Sequence, residues 1–68
     1  MFEYKTRSGR RTTINPKMIT VILEDSDNMC KIYTTDGEDP LLIDESYEKV
    51  RDDFHSFMYS INTIVSVR

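Results

Sequence analysis

The chain has 68 residues, a formal net charge of −3 at pH 7 and a single cysteine, Cys30. One Cys excludes an intrachain disulfide and a multi-Cys zinc site. There is no apolar N-terminal signal region and no apolar run of about 20 residues, so neither secretion nor membrane insertion is expected. We expect one domain over residues 1–68 in the cytoplasm, where a lone thiol stays reduced.

Charge is distributed unevenly along the chain. Residues 1–17 contain five bases and one acid, a balance of +4, whereas residues 18–68 contain four bases and eleven acids, a balance of −7. The acidic total argues against general DNA binding, which needs several bases on one face. The basic N-terminal segment is either a local anion site or a contact for an acidic surface on a second copy.

Residues 1–44 alternate short β-type runs with turn signals. A period-two run near the N-terminus leads into the turn Ser8-Gly9, and the returning run is closed by Asn15-Pro16. Later runs are separated by turns rich in Asp, Asn and Gly. We expect the exposed face of the resulting sheet to carry Lys, Arg and Thr side chains. The predicted runs cover residues 2–7, 11–14, 18–24, 29–34 and 41–43.

The period changes after residue 44, and residues 45–61 are predicted to form an amphipathic helix. Asp44 and Ser46 are both suitable N-caps. The apolar stripe of this helix has the three-and-four spacing of Tyr47, Val50, Phe54, Phe57, Met58 and Ile61.

Residues 62–68 form either a tail or a further strand. Three β-branched residues in this segment, Ile64, Val65 and Val67, make it a candidate for strand pairing with a second copy. A chain this small has little core of its own, so a homodimer is the expected source of additional stability.

These elements predict an α+β fold, in which a small antiparallel sheet of about four short strands is followed by one C-terminal amphipathic helix. The sheet and the helix each bury one face against the other. An extra C-terminal strand is the alternative for the tail.

The order of hairpin, Asn-Pro, apolar strand, acidic turn, strand, Asp-Gly and helix resembles the small flagellar-operon proteins of the FlbD, or swarming-motility, type. The resemblance spans roughly residues 5–58 and implies a non-enzymatic accessory protein that supports motility. The residues that carry it are Gly9, Asn15-Pro16, Ile19, Ile22, Glu24, Ile32, Thr35, Asp36-Gly37, Ile43, Glu45-Ser46, Val50 and Phe54. The turn Ser8-Gly9 departs from the more usual Asn-Gly, and residues 62–68 have no counterpart.

The basic hairpin is the candidate binding site. Guanidinium groups around a glycine turn can clamp a phosphate or a carboxylate with paired hydrogen bonds. The alternative is a solvated hairpin tip, or pairing with an acidic surface of a neighbouring copy. The residues concerned are Lys5, Arg7, Arg10 and Arg11.

No combination of reactive groups predicts catalysis. His55 is expected on the helix surface with ordinary neighbours, and Cys30 as a thiol in the core. The acidic turn that contains Asp25, Asp27 and Asn28 lacks the Gly and Glu that a calcium loop requires. We therefore expect no enzyme activity, no metal and no cofactor.

The sequence thus favours a non-enzymatic interaction protein that binds another protein of unknown identity. It acts either as a motility accessory factor or as a phage-type inhibitor of a host factor. The alternative is a nucleotide- or nucleic-acid-binding module that uses the basic hairpin.

Overall fold

The structure is a computed structural model that describes residues 1–26 and 28–66, with side chains described up to residue 60. Within these residues, five strands precede one helix, which confirms the predicted α+β fold. A 3-10 turn, Pro16–Met18, separates the second and third strands. The elements are β1 (Phe2–Lys5), β2 (Arg11–Ile14), β3 (Ile19–Glu24), β4 (Cys30–Thr34), β5 (Leu41–Ile43) and α1 (Tyr47–Ser66).

The strands form two antiparallel sheets where the sequence suggested one sheet of about four strands. The hairpin sheet contains β1 and β2, and the three-stranded sheet has the order β3-β4-β5. The chain turns between β2 and β3 because Asn15 Oδ1 accepts a hydrogen bond from the Lys17 amide, at 3.0 Å, and Pro16 has no amide to donate to a ladder. A single bridge between Thr6 and Ile43 joins the two sheets.

A β-bulge near the start of β3 changes which side chains face the core. Ile19 is paired with Thr34 and Val21 with Tyr33, so Thr20 is the extra residue. Simple alternation groups Ile19 with Val21, but the bulge returns both Ile19 and Ile22 to the core side. Val21 and Leu23 consequently face the other way.

The core lies between the two sheets and the first half of α1. Ile32, Ile43, Val50 and Cys30 are fully buried. Partly buried apolar side chains surround them, including Ile22 and Tyr47. The buried core residues are Tyr4, Ile14, Cys30, Ile32, Ile43 and Val50.

Helix α1 begins two residues later and ends further along the chain than the sequence predicts. Ser46 is the N-cap, because its Oγ accepts a hydrogen bond from the Lys49 amide at 3.1 Å. Residues 62–66 are helical, where the sequence left a tail or a further strand. They contain no Gly or Pro, so nothing stops propagation of a helix that is already nucleated and anchored by packing.

Within residues 1–26 and 28–66, no helix is both long enough and apolar enough to cross a membrane.

Candidate interaction surfaces

Arg7 lies in a different place from the one the sequence predicts. Strand β1 ends at Lys5, so Arg7 belongs to the turn and does not share a strand face with Lys5. Its amide donates to the Leu42 carbonyl at 3.0 Å, and its guanidinium forms a salt bridge with Asp25. Arg7 therefore joins the hairpin sheet to the end of β3, and its positive charge is paired with the carboxylate of Asp25.

Lys5 and Arg11 lie directly opposite each other in the hairpin sheet. Both are exposed. They line a surface groove of about 320 Å³ whose other charged residues are the acids Glu3, Asp44 and Glu45. Three carboxylates beside two bases make this groove a poor site for a phosphate or another anion.

Arg10 is exposed at the tip of the hairpin, next to Gly9. Gly9 has φ 87°, in the left-handed region that glycine adopts without strain. Of the four predicted binding residues, Arg7 is thus held by Asp25, Lys5 and Arg11 lie among carboxylates, and Arg10 lies at the tip. The guanidiniums of Arg7, Arg10 and Arg11 do not form a ready-made clamp.

Separating Arg7 from Asp25 should destabilise the contact between the two sheets. The two side chains are 26% and 30% exposed, and the Nε of Arg7 is buried without a hydrogen-bond acceptor in the described structure. A double-mutant cycle with Arg7→Gln and Asp25→Asn is expected to give a coupling of about 1 kcal/mol that falls in high salt. Urea unfolding of the four proteins measures it. Arg10→Gln is the control and should leave stability unchanged; a zero coupling energy would contradict the structural role of this pair.

A second polar cluster joins β1 to α1, and no pattern in the sequence predicts it. The Tyr4 hydroxyl donates to Asp53 Oδ2 at 2.6 Å, and Lys49 Nζ donates to both Asp53 oxygens at 3.0 and 3.1 Å. Burial and the hydrogen bond to Asp53 raise the pKa of Tyr4 well above its ordinary value. Burial acts to raise the pKa of Asp53, but the hydrogen bonds from Tyr4 and Lys49 outweigh it and lower that pKa.

The predictions for the reactive side chains Cys30 and His55 are confirmed. Cys30 is fully buried in the core, and burial raises the pKa of its thiol despite the opposing effect of Arg7. A buried thiol with a raised pKa is a weak nucleophile. His55 is exposed on α1. Across the described residues, no three His, Cys, Asp or Glu side chains are grouped as metal ligands.

The exposed face of the three-stranded sheet is mostly apolar, so the expectation that it carries Lys, Arg and Thr is met at Lys31 but not at Val21, Leu23 and Leu42. The register places Leu23, Lys31 and Leu42 in one row across the three strands, with Val21 opposite Tyr33 beside it. Val21, Leu23 and Leu42 are 48%, 47% and 41% exposed, although Cys30, Ile32 and Ile43 on the opposite face are fully buried. We call this surface the outer face; it comprises Val21, Leu23, Lys31, Tyr33 and Leu42.

The side chains predicted to mediate oligomerisation lie outside the described part of the structure. Ile64 and Val65 have a described backbone, which is helical, but no described side chains. Val67 lies beyond the described residues. Dimer formation through this segment stays a prediction.

The fold and these surfaces define a small α+β domain that has an apolar sheet face on its exterior. No protein-family model matches the sequence, and searches of curated proteins and of solved structures found no match either.

Proposed function

We propose that this chain is a non-enzymatic interaction protein that binds another protein through the outer face. The observation that carries the proposal is the row of Leu23, Lys31 and Leu42, in which two leucines are nearly half exposed. Half-exposed leucines and a neighbouring Val21 gain hydrophobic free energy when a partner covers them.

The composition of the outer face indicates what kind of partner fits it. The apolar side chains lie at its two sides, and Lys31 lies between Leu23 and Leu42. Lys31 is half-buried. The methylene stem of such a lysine adds to the apolar surface, while its ammonium group stays in contact with water. A partner with an apolar contact surface and one carboxylate satisfies both requirements.

The resemblance to FlbD-type proteins implies a partner in the motility apparatus, and the phage-type interpretation implies a host factor. Both roles place the protein in the cytoplasm. The free, buried Cys30 supports this location, because a lone thiol persists in a reducing compartment.

Two lysine substitutions on the outer face test the proposal. Leu23→Lys and Leu42→Lys each place a charge where a partner would bury a leucine, and both positions are exposed enough for the fold to accept it. A partner is captured from the native cells with the unchanged protein, and its affinity for each purified variant is measured by calorimetry. Each variant should bind about 10-fold more weakly, the effect of about 1.4 kcal/mol.

The control is Arg10→Glu combined with Arg11→Glu, which reverses charge on the hairpin and leaves the outer face intact. This control should bind the partner normally. Loss of binding in the control, with normal binding by the two lysine variants, would move the site to the basic hairpin. Binding of a labelled oligonucleotide that is lost only in the control would favour the nucleic-acid alternative.

A further inference from the structure

Strand β3 is an open edge of the three-stranded sheet. It pairs with β4 on one side only. The opposite edge, at β5, is covered by the hairpin through the Thr6–Ile43 bridge and a hydrogen bond from the Asp44 amide to the Lys5 carbonyl, at 2.8 Å. An uncovered edge strand presents backbone donors and acceptors to another strand.

The hydrogen-bond ladder shows which residues of β3 present these groups. The Asp25 amide donates to the Met29 carbonyl at 3.2 Å, which directs the backbone of Asp25 toward β4. Because direction alternates in an antiparallel ladder, Leu23 and Val21 also point toward β4, whereas Ile22 and Glu24 point outward. Among the described residues, no backbone hydrogen bond outside the β-ladders uses the groups of Ile22 or Glu24.

The edge has little of the protection that proteins usually give to exposed strands. β3 is the longest of the five strands and contains no Pro and no Lys. The bulge at Thr20 interrupts its beginning but leaves Val21–Glu24 regular. This stretch therefore has a regular backbone and pairs with a strand on one side only.

We propose that the partner at this edge is a second copy of the chain, paired antiparallel with its Ile22 opposite Ile22 of the first copy. This proposal goes beyond the proposed function, because the second copy binds at the edge of the sheet and leaves the outer face open to a different partner. The two Ile22 residues then exchange backbone hydrogen bonds, and each Val21 lies opposite Leu23 of the other copy. The outer faces of both copies become one continuous apolar surface.

Charge at the two ends of β3 favours a second copy over an unrelated strand. Exposed Lys17 precedes β3, and exposed Glu24 ends it. In the Ile22-centred register, Glu24 of each copy lies opposite Thr20 of the other, so the acidic end of each strand lies toward the Lys17 end of its neighbour. Parallel pairing would place like charges side by side.

Light scattering on matched variants tests this arrangement in the full chain. The unchanged protein should have twice the monomer mass at high concentration and dissociate on dilution, because two short strands bury little surface. Val21→Lys adds a charge at the edge strand and should give a monomer. Leu42→Lys, on the same face but on β5, should remain a dimer, and so should Ile64→Lys in the C-terminal segment.

Four outcomes of this experiment overturn the proposal. These are a monomeric unchanged protein, a dimeric Val21→Lys variant, dissociation by Leu42→Lys, and dissociation by Ile64→Lys. The last two would indicate joining through the outer faces and through the C-terminal segment respectively. Circular dichroism shows whether each variant is folded.

Disulfide formation between two copies tests the same arrangement without the Val21→Lys variant. With Val21→Cys and Leu23→Cys in one chain, the new thiols lie opposite each other between copies, at a separation that suits a disulfide. Mild oxidation should give a covalent dimer, because Cys30 is buried and does not compete. Absence of this dimer overturns the Ile22-centred register. The two proposals can fail separately. If the unchanged protein is a monomer but Leu23→Lys weakens its binding to a different protein, the dimer is refuted and the proposed function still holds.

Discussion

Replacing Ile32 by alanine should destabilise the protein by about 2–5 kcal/mol, the cost of removing a large aliphatic side chain from a packed core. Ile32 is fully buried in the central strand β4, with Ile22 and Leu41 as its cross-strand neighbours. A chain of 68 residues has a total stability of roughly 3–10 kcal/mol. The variant is therefore expected to be largely unfolded or to unfold at a much lower urea concentration.

Leu42→Ala is the matched control for Ile32→Ala. Leu42 lies in the neighbouring strand β5 but is 41% exposed, so its truncation leaves no enclosed cavity. A loss of less than about 1 kcal/mol is expected. Urea unfolding followed by circular dichroism measures the stability of both variants. Equal losses would contradict the structure, in which Ile32 faces the core and Leu42 faces solvent.

The hydroxyl of Tyr4 should stabilise the fold by about 1 kcal/mol across a defined range of pH. A hydrogen bond to an ionised carboxylate stabilises a fold more than one between two neutral groups. Its effect is reduced because the Asp53 side chain is 31% exposed. Tyr4→Phe removes the hydrogen bond but keeps the ring, which is buried and packs edge-on against Phe2 at a centroid distance of 6.0 Å.

The pKa shifts define the pH range in which Tyr4 and Tyr4→Phe differ. The pKa of Tyr4 is raised above its ordinary 10.0, so the stabilisation is complete below pH 10 and is lost as the pH rises beyond it. The pKa of Asp53 is lowered below its ordinary 3.8, so its contribution is complete above that pH and is lost as the pH falls. The difference in unfolding free energy should thus be greatest between about pH 4 and pH 10.

Urea unfolding of both proteins at a series of pH values measures this difference. Tyr59→Phe is the control, because Tyr59 lies on α1 with its side chain 72% exposed. Its stability should follow that of the unchanged protein at every pH. A Tyr4→Phe difference that is constant through pH 10 would contradict the assigned pairing with Asp53.

The sequence alone predicted the elements of this fold because each has a local cause. Period-two runs and turn residues gave five β runs, and the three-and-four spacing after Tyr47 gave the helix. Ser46 is one of the two predicted N-caps, and Cys30 is in the core as predicted. Each of these features depends on residues that are close together in the sequence.

Only the tertiary structure decided which surfaces are exposed and which charges are paired. The bulge at Thr20 put Ile19 and Ile22 on the same side of β3, and register placed Leu42 beside Lys31 on the outer face. The Arg7–Asp25 and Tyr4–Asp53 contacts join residues 18 and 49 positions apart. Hydrophobic periodicity and charge balance depend on residues that are close together in the sequence. Strand register and the pairing of distant side chains depend on how the two sheets and the helix pack together.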